Sequence, residues 1–469
     1  MKLNVKLLII LIVALILLIL PGLLKGNDLK IGEHGYFYER IISLAKEKSN
    51  YDELSYSGRD FTYDLGPIYL LLFLNNFFDI KILLFVLPIV FGLITVLLLY
   101  FLLGKLDIEE NVIILTLVFF IISPVMFYIF TSYNKFTVIL PLIFLFINLF
   151  INENKFFKLL SLIFLFFLGF FSYKAIIMSL LFILIYLIKQ KNLKQIYLPL
   201  FISFISLIIA YLSRLITYGI INTGIKENYF KNLFSDLGSL YGLSIALFFF
   251  LIFGLNYLWK SKYKYVHVYL AFLILIILTI LNKDFIIYFN FLAFYLAALG
   301  VNYLINSKWD SELIRKLTIF LLIFTLIFSS YNSLLAIKNS QPNKEVYSAL
   351  VDLRNYGSND DIVFSHYKYG ILINSIANRK NFIDNNFYYV KDIKERHNDM
   401  QTLFYTRNAD LAKKILTKYN IEYILITKEM KEGLVWNQKD EGLLFVIENS
   451  KEFKRIYNNE DAEIWRIRP

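Results

Sequence analysis

Eleven apolar runs dominate this chain and leave it few possible folds. They lie at about 7–24, 81–103, 112–130, 134–151, 156–171, 174–189, 196–212, 240–258, 266–281, 285–305 and 314–337. Most approach or reach the length of a membrane-crossing helix. A backbone in hydrocarbon must satisfy its polar groups internally, so such runs fold as helices. With 58% hydrophobic residues and mean hydropathy +0.58, the chain reads as a polytopic membrane protein. A further run at 67–78, opened by Gly66-Pro67, is too short to cross upright and is expected to be interfacial or re-entrant. The run at 7–24 follows Lys2 and Lys6, has no small-residue cleavage site after it, and reads as a retained anchor.

Charge sets the expected orientation. The net charge of +11 comes largely from short loops between the apolar runs, so it is a topology signal and not a nucleic-acid footprint. With the N-terminus inside, the cytoplasmic loops carry Lys155/Lys158, Lys189/Lys191/Lys194, Lys260/Lys262/Lys264 and Lys308/Arg315/Lys316. The opposite connections carry little beyond Lys135, Lys174 and Lys283. This bias predicts that the loop at 26–66 and the C-terminus are extracytoplasmic. The chain has no cysteine, which excludes disulfides, and its four scattered histidines form no zinc pattern.

Near residue 338 the periodicity changes. Residues 343–356 form an expected amphipathic helix, Asp361–Phe364 a buried strand, 409–420 a helix, and Glu422–Ile426 a second strand. Phe453–Tyr457 and Ala462–Ile467 flank Asn458-Asn459 as a hairpin. Two domains are expected: 1–338, a transmembrane helical domain that includes the first extracytoplasmic loop at 26–66, and 339–469, a small soluble α/β domain. Neither a phosphate-binding glycine loop nor a nucleophile elbow is present.

The loop at 26–66 carries Asp28, Glu33, Glu39, Glu47, Asp52, Glu53, Asp60 and Asp64 between hydrophobic neighbours. Ionised groups are expensive beside hydrocarbon unless they have partners or a task. A solvated acidic loop is the plain alternative.

An anchor helix, then Tyr36-Phe37-Tyr38-Glu39-Arg40, then Tyr56-Ser57-Gly58-Arg59-Asp60-Phe61-Thr62-Tyr63 resembles the first extracytoplasmic loop of GT-C membrane glycosyltransferases. The likeness is greatest to archaeal relatives of the oligosaccharyltransferase catalytic subunit. Residues 365–387 resemble the segment that opens Trp-Trp-Asp-Tyr-Gly in that subunit; Tyr369-Gly370 keep the pattern, and His366, Tyr367 and Lys368 replace its first three residues. Ser235-Asp236 resembles the acidic motif of the family's long external loop. The resemblance implies a GT-C-like fold of about eleven transmembrane helices with a C-terminal α/β domain. It also implies transfer of a sugar from a polyprenyl-phosphate-linked donor to an extracytoplasmic glycan or protein acceptor.

Such chemistry asks for a carboxylate to take or orient the acceptor's proton and a cation to receive the leaving phosphate. Glu33 and Asp28 follow the first span closely and are the candidate bases; the resemblance places His34 about where the family's first catalytic acid falls, with Glu33 one residue earlier, and Glu33 is preferred over Asp28. The second acidic motif of the family is replaced by Thr131-Ser132-Tyr133-Asn134-Lys135. Lys135 either neutralises a lipid phosphate without a metal or snorkels at a helix end. Magnesium or manganese on the remaining acids is the alternative. Arg59, Lys174 and Arg214 are further phosphate candidates, and His34, Tyr36, Arg40, Asp236, Lys368 and Tyr369 complete the substrate-binding set. A non-catalytic relative that binds or translocates lipid-linked sugars is the alternative function. The expected partners are a lipid-linked donor, membrane lipid and the acceptor, with no nucleic acid.

Overall fold

The computed structural model describes residues 5–26, 30–49, 51–218, 233–387, 390–438 and 440–468. The chain divides into two compact units. One comprises Met1–Asn27, Asp64–Leu212 and Glu227–Asn339; the other comprises Asp28–Tyr63, Ser213–Lys226 and Ser340–Pro469, in each case as far as described.

The first unit is helical. Its elements are α1 (Val5–Lys25), α3 (Leu65–Leu74), α4 (Ile80–Lys105), α5 (Glu110–Ile121), α6 (Pro124–Phe130), α7 (Lys135–Phe150), α8 (Lys155–Phe171), α9 (Tyr173–Lys189) and α10 (Tyr197–Tyr218), whose last turns belong to the other unit. They continue with α11 (Ile245–Trp259), α12 (Val266–Leu281), α13 (Phe285–Asn306) and α14 (Glu312–Lys338). Every apolar run of the sequence therefore contains helix. By length and composition, five described helices are able to cross a membrane: Val5–Lys25, Ile80–Lys105, Leu193–Leu212, Phe285–Asn306 and Glu312–Lys338. The bent pair α5–α6 makes a sixth. Helices such as α7, α11 and α12 are shorter, so eleven full crossings are not established.

One expected span is not a single rod. The run at 112–130 breaks between α5 and α6 with a bend of 58°. Pro124 occupies the first turn of α6, and the Ser123 hydroxyl accepts from Met126 N at 3.1 Å as its cap. A proline cannot donate into the preceding turn, so the chain restarts its helix here. Elsewhere two helices approach to backbone contact. A Cβ at Gly254 of α11 would lie 1.9 Å from Leu296 O, and one at Gly300 of α13 would lie 2.0 Å from Phe250 O. Small residues allow this packing where no hydrophobic effect presses helices together.

The second unit is α/β. Its sheet has the order β4 (Lys380–Asn381), β3 (Ile362–Phe364), β5 (Ile421–Thr427), β7 (Ala462–Ile467), β6 (Phe453–Asn458). The β4–β3–β5 part is parallel and the β5–β7–β6 part antiparallel. Helices α15 (Lys344–Asn355), α16 (Tyr367–Leu372), α17 (Ile393–Tyr405), α18 (Ala409–Lys418) and α19 (Leu443–Asn449) accompany it. Val346, Leu350 and Leu353 form the buried stripe of α15, and Val363, Phe364 and Ile424–Ile426 fill the strand core.

The first loop belongs to this unit. It contributes α2 (His34–Lys46) and the small hairpin β1 (Tyr51–Asp52)–β2 (Arg59–Asp60). Tyr36 and Tyr56 enter the same hydrophobic core as the strands. Ser55 Oγ donates to Asp384 Oδ2 at 2.7 Å, and Tyr56 OH donates to Asp384 O at 2.6 Å. Tyr56 N donates to Asn381 Oδ1 at 2.7 Å. The loop is a packed part of the α/β unit, and its Arg40, Asp52 and Arg59 are engaged within it.

Candidate functional site

In the helical unit, three helix beginnings meet at one carboxylate. Lys135 is the first residue of α7, Lys174 the second of α9, and Asp284 stands at the N-cap of α13. Lys174 Nζ donates to Asp284 Oδ2 at 2.5 Å and to Asn282 Oδ1 at 2.9 Å. Lys135 Nζ donates to the same Asp284 oxygen at 3.3 Å. The Lys174 side chain is only 4% exposed and that of Asp284 17%. Local chemistry fixes each end: Asn134 closes a capping box on α7, and Ser172 Oγ accepts from Lys174 N on α9. Asp284 makes no side-chain cap bond, because its carboxylate is turned to the lysines. Burial alone would raise the Asp284 carboxyl; the charges of Lys135 and Lys174 outweigh it and hold the group well below the usual carboxylate range.

The junction is electropositive by construction. Helix N-termini carry positive partial charge and unsatisfied N–H groups, and two ammonium groups are added to three of them. Asp284 offsets part of this, and Asp64 lies within electrostatic reach of Lys174. This arrangement receives an anion more readily than a metal. A hard divalent cation needs several oxygen ligands free of competing cations, whereas Asp284 already carries two ammoniums. Among the described residues no group of three or more His, Asp or Glu side chains is placed to hold a metal ion.

In the α/β unit, Glu33 sits at the N-cap of α2, half-buried, and accepts a hydrogen bond from Asn385 Nδ2. Burial raises its carboxyl to about 7; the Asn385 bond opposes this, Asp384 reinforces it, and Lys368 opposes it more weakly. A carboxyl poised near neutrality suits proton transfer. His34 opens α2 beside it. Lys368 pairs with Glu429, and Tyr369 OH donates to the other Glu429 oxygen at 2.7 Å. His366 caps α16 by accepting from Lys368 N at 3.3 Å; burial and the nearby Lys368 lower its imidazole to about 4, so it is neutral at pH 7.

Other sequence candidates are occupied locally. Arg40 makes a two-pronged pair with Asp52 at 2.7 and 2.8 Å, and Tyr63 OH donates to Asp52 Oδ2 at 2.6 Å. Arg59 is buried, donates to Asn386 O at 2.8 Å and Thr62 Oγ1 at 3.0 Å, and lies over the rings of Tyr56 and Tyr63. Tyr36 OH accepts from Lys30 N at 3.1 Å. Arg214 donates to Tyr63 O at 2.8 Å. In the helical unit, Asp236 Oδ2 accepts from Ile245 N at 2.7 Å and so ties down the start of α11. Asp28 lies outside the described residues. Asp284 and Asn282 are not among the residues the sequence pattern singles out. Their signal was there: Asn282-Lys283-Asp284 is a polar triplet between two long apolar runs.

Together these features define a helical unit with five described helices long and apolar enough to cross a membrane, or six with the bent pair, a small α/β unit, and a buried lysine–aspartate junction. The solved structures this chain is similar to are those of the archaeal oligosaccharyltransferase AglB from Archaeoglobus fulgidus. The form with Zn and sulfate aligns over 99% of this chain and 73% of that one, at 15% identity and TM-score 0.64. The complex with an inhibitory peptide and a dolichol-phosphate aligns over 91% and 70%, at 13% identity and TM-score 0.62. The form tethered to an acceptor peptide with the NVT sequon aligns over 91% and 69%, at 14% identity and TM-score 0.60. At such identity the likeness speaks for the fold, and at that level the resemblance read from the sequence holds. No protein-family model and no curated protein matches the chain.

Proposed function

We propose that this protein is a GT-C-type membrane glycosyltransferase that takes a sugar from a polyprenyl-phosphate-linked donor on the extracytoplasmic face. The observation that carries the proposal is the junction of Lys135, Lys174 and Asp284 at three helix N-termini. It is a ready receiver for a leaving phosphate within a fold whose relative has been solved with dolichol-phosphate. In the reaction, the acceptor's oxygen or nitrogen attacks the anomeric carbon from the face opposite the phosphate. The carbon–oxygen bond to phosphate breaks, its electron pair leaves with the phosphate, and the anomeric configuration inverts. The acceptor's proton passes to a carboxylate; Glu33 of the α/β unit, raised to about 7, is the candidate by its own protonation, independently of the lysine junction. The two lysines take the charge that develops on the phosphate. Lys368, Tyr369 and His34 remain the acceptor-side candidates. The acceptor itself is a glycan or a protein, the latter in keeping with the acceptor peptide held by the AglB structure.

The test is transfer from a polyprenyl-phosphate-linked sugar by the purified chain in lipid. Lys135→Met and Lys174→Met should each lower turnover by about 10²–10³, the size of one lost electrostatic contact to the transition state. Native turnover in both variants would remove the junction from the reaction.

A further inference from the structure

The junction holds a polar group that none of its own contacts explains. Tyr288 of α13 is buried, 5% exposed, and its hydroxyl has no hydrogen-bond partner. It lies one helical turn beyond Asp284, on the same side of the helix. Its ring stands 6.3 Å from that of Phe136, the residue after Lys135. The hydroxyl is within electrostatic reach of Lys135 and Asp284. A buried hydroxyl without a partner carries a free-energy cost, and a cost kept beside two lysines and three helix N-termini points to a ligand that answers it.

Asp284 supplies the complementary clue. Its own backbone is helical, and the first helix N–H groups are already held by main-chain oxygens, Ile286 N by Lys283 O at 3.1 Å and Ile287 N by Asp284 O at 3.4 Å, so the helix start makes no demand on its carboxylate, which is turned to the lysines. An anion reaching the lysines competes with this carboxylate for their N–H groups. We propose that Lys135, Lys174 and Tyr288 form the seat of a phosphate group, with Tyr288 as its third hydrogen-bond donor. Asp284 is the resident counter-ion that holds the seat until phosphate displaces it. This rests on the donor assignment above and adds Tyr288 to it, with a role for Asp284.

The experiment measures binding of a long-chain polyprenyl monophosphate, and separately of inorganic phosphate, to the full chain in nanodiscs. Wild type is compared with Asp284→Asn and Tyr288→Phe. Asparagine keeps the size of the side chain but carries no charge, so Asp284→Asn should bind polyprenyl monophosphate roughly tenfold or more tightly than wild type, the scale of one charged hydrogen bond. Tyr288→Phe should bind it more weakly by roughly the same factor, and because the hydroxyl has no partner its loss should leave the fold intact. Inorganic phosphate following the same pattern shows that the seat reads phosphate alone; a pattern confined to the lipid shows that the seat belongs to the lipid headgroup. Either supports the seat. Unchanged affinity in both variants, with wild type still binding the lipid, overturns the seat and leaves the donor reading standing. Absence of any lipid binding by wild type overturns both. Should Asp284→Asn fail to fold, Tyr288→Phe decides: equal affinity overturns the seat.

Discussion

The two units each bury an arginine or lysine against an aspartate, and they do so differently. In the α/β unit, Arg40 and Asp52 form a one-to-one pair with two parallel hydrogen bonds, a third from Tyr63, and further ones from Leu54 N and Ser55 N to Asp52 Oδ1. In the helical unit, one aspartate serves two lysines while a tyrosine hydroxyl beside them stays unpartnered. The first arrangement saturates the carboxylate with five hydrogen bonds and leaves Arg40 Nε, inside the pair, without a partner. The second leaves cations sharing an anion, which is what an anion site looks like before its ligand arrives. Counting charged residues would rank the acidic loop first. Following each hydrogen bond to its end reverses the order.

The largest expected effect falls on the Arg40–Asp52 pair. Asp52→Ala leaves a buried guanidinium and a buried tyrosine hydroxyl without their acceptor. The loss should be about 3–5 kcal/mol of stability, the usual cost of removing one partner of a buried pair. Thermal unfolding of the chain in detergent would measure it. A loss under about 1 kcal/mol would mean the pair is solvated, as surface pairs are.

The shared aspartate should be more forgiving. Lys174→Met removes one ammonium from Asp284 and leaves Lys135 in place, so no buried charge is abandoned. The cost should be about 1.5–3 kcal/mol, the scale of a hydrogen bond to a charged group. A loss as large as that of Asp52→Ala would erase the distinction between a scaffold pair and a site, because Lys174 would then be as structural as Arg40.

Much of this architecture was legible because apolar patterning writes itself locally. The runs that became α4 and α14, the stripe of α15, and the apolar strand β5 all announce their burial within a few residues. Helix α17 was not read, because Ile393, Met400, Leu403 and Phe404 are thinly spread among polar residues. The break at Ser123-Pro124 was overlooked because hydropathy runs through it unchanged. In the site, Lys135 and Lys174 could be named because an ammonium beside apolar runs stands out. Asp284 could not be paired with them, since it lies 149 residues from one and 110 from the other. The docking of the first loop onto Asn381 and Asp384, more than 320 residues away, is equally invisible to local pattern.

A further effect separates two carboxylates of that loop by sign. Burial alone would raise Asp52, but the bonds and charge of Arg40 and the Tyr63 hydroxyl outweigh it and lower it. Its contribution to stability is therefore present above the ordinary aspartate range, about 3.9, and is lost as pH falls through its lower folded value. Glu33 runs the other way: its burial is not fully repaid, and its carboxyl stands at about 7. Between the ordinary glutamate value, about 4.3, and about 7, the folded chain holds a proton that the unfolded chain has released, so stability falls as pH rises through that window. Glu33→Gln removes the titration. The variant should match wild type near pH 4 and be the more stable of the two at pH 8, with a flatter profile between them. The same substitution tests the catalytic assignment, because a base at about 7 makes turnover climb with pH through neutrality, and glutamine should abolish the climb together with most of the rate. Equal pH–stability profiles for Glu33→Gln and wild type would show that Glu33 is solvated in the folded chain, and its candidacy as the base would then lose its physical ground.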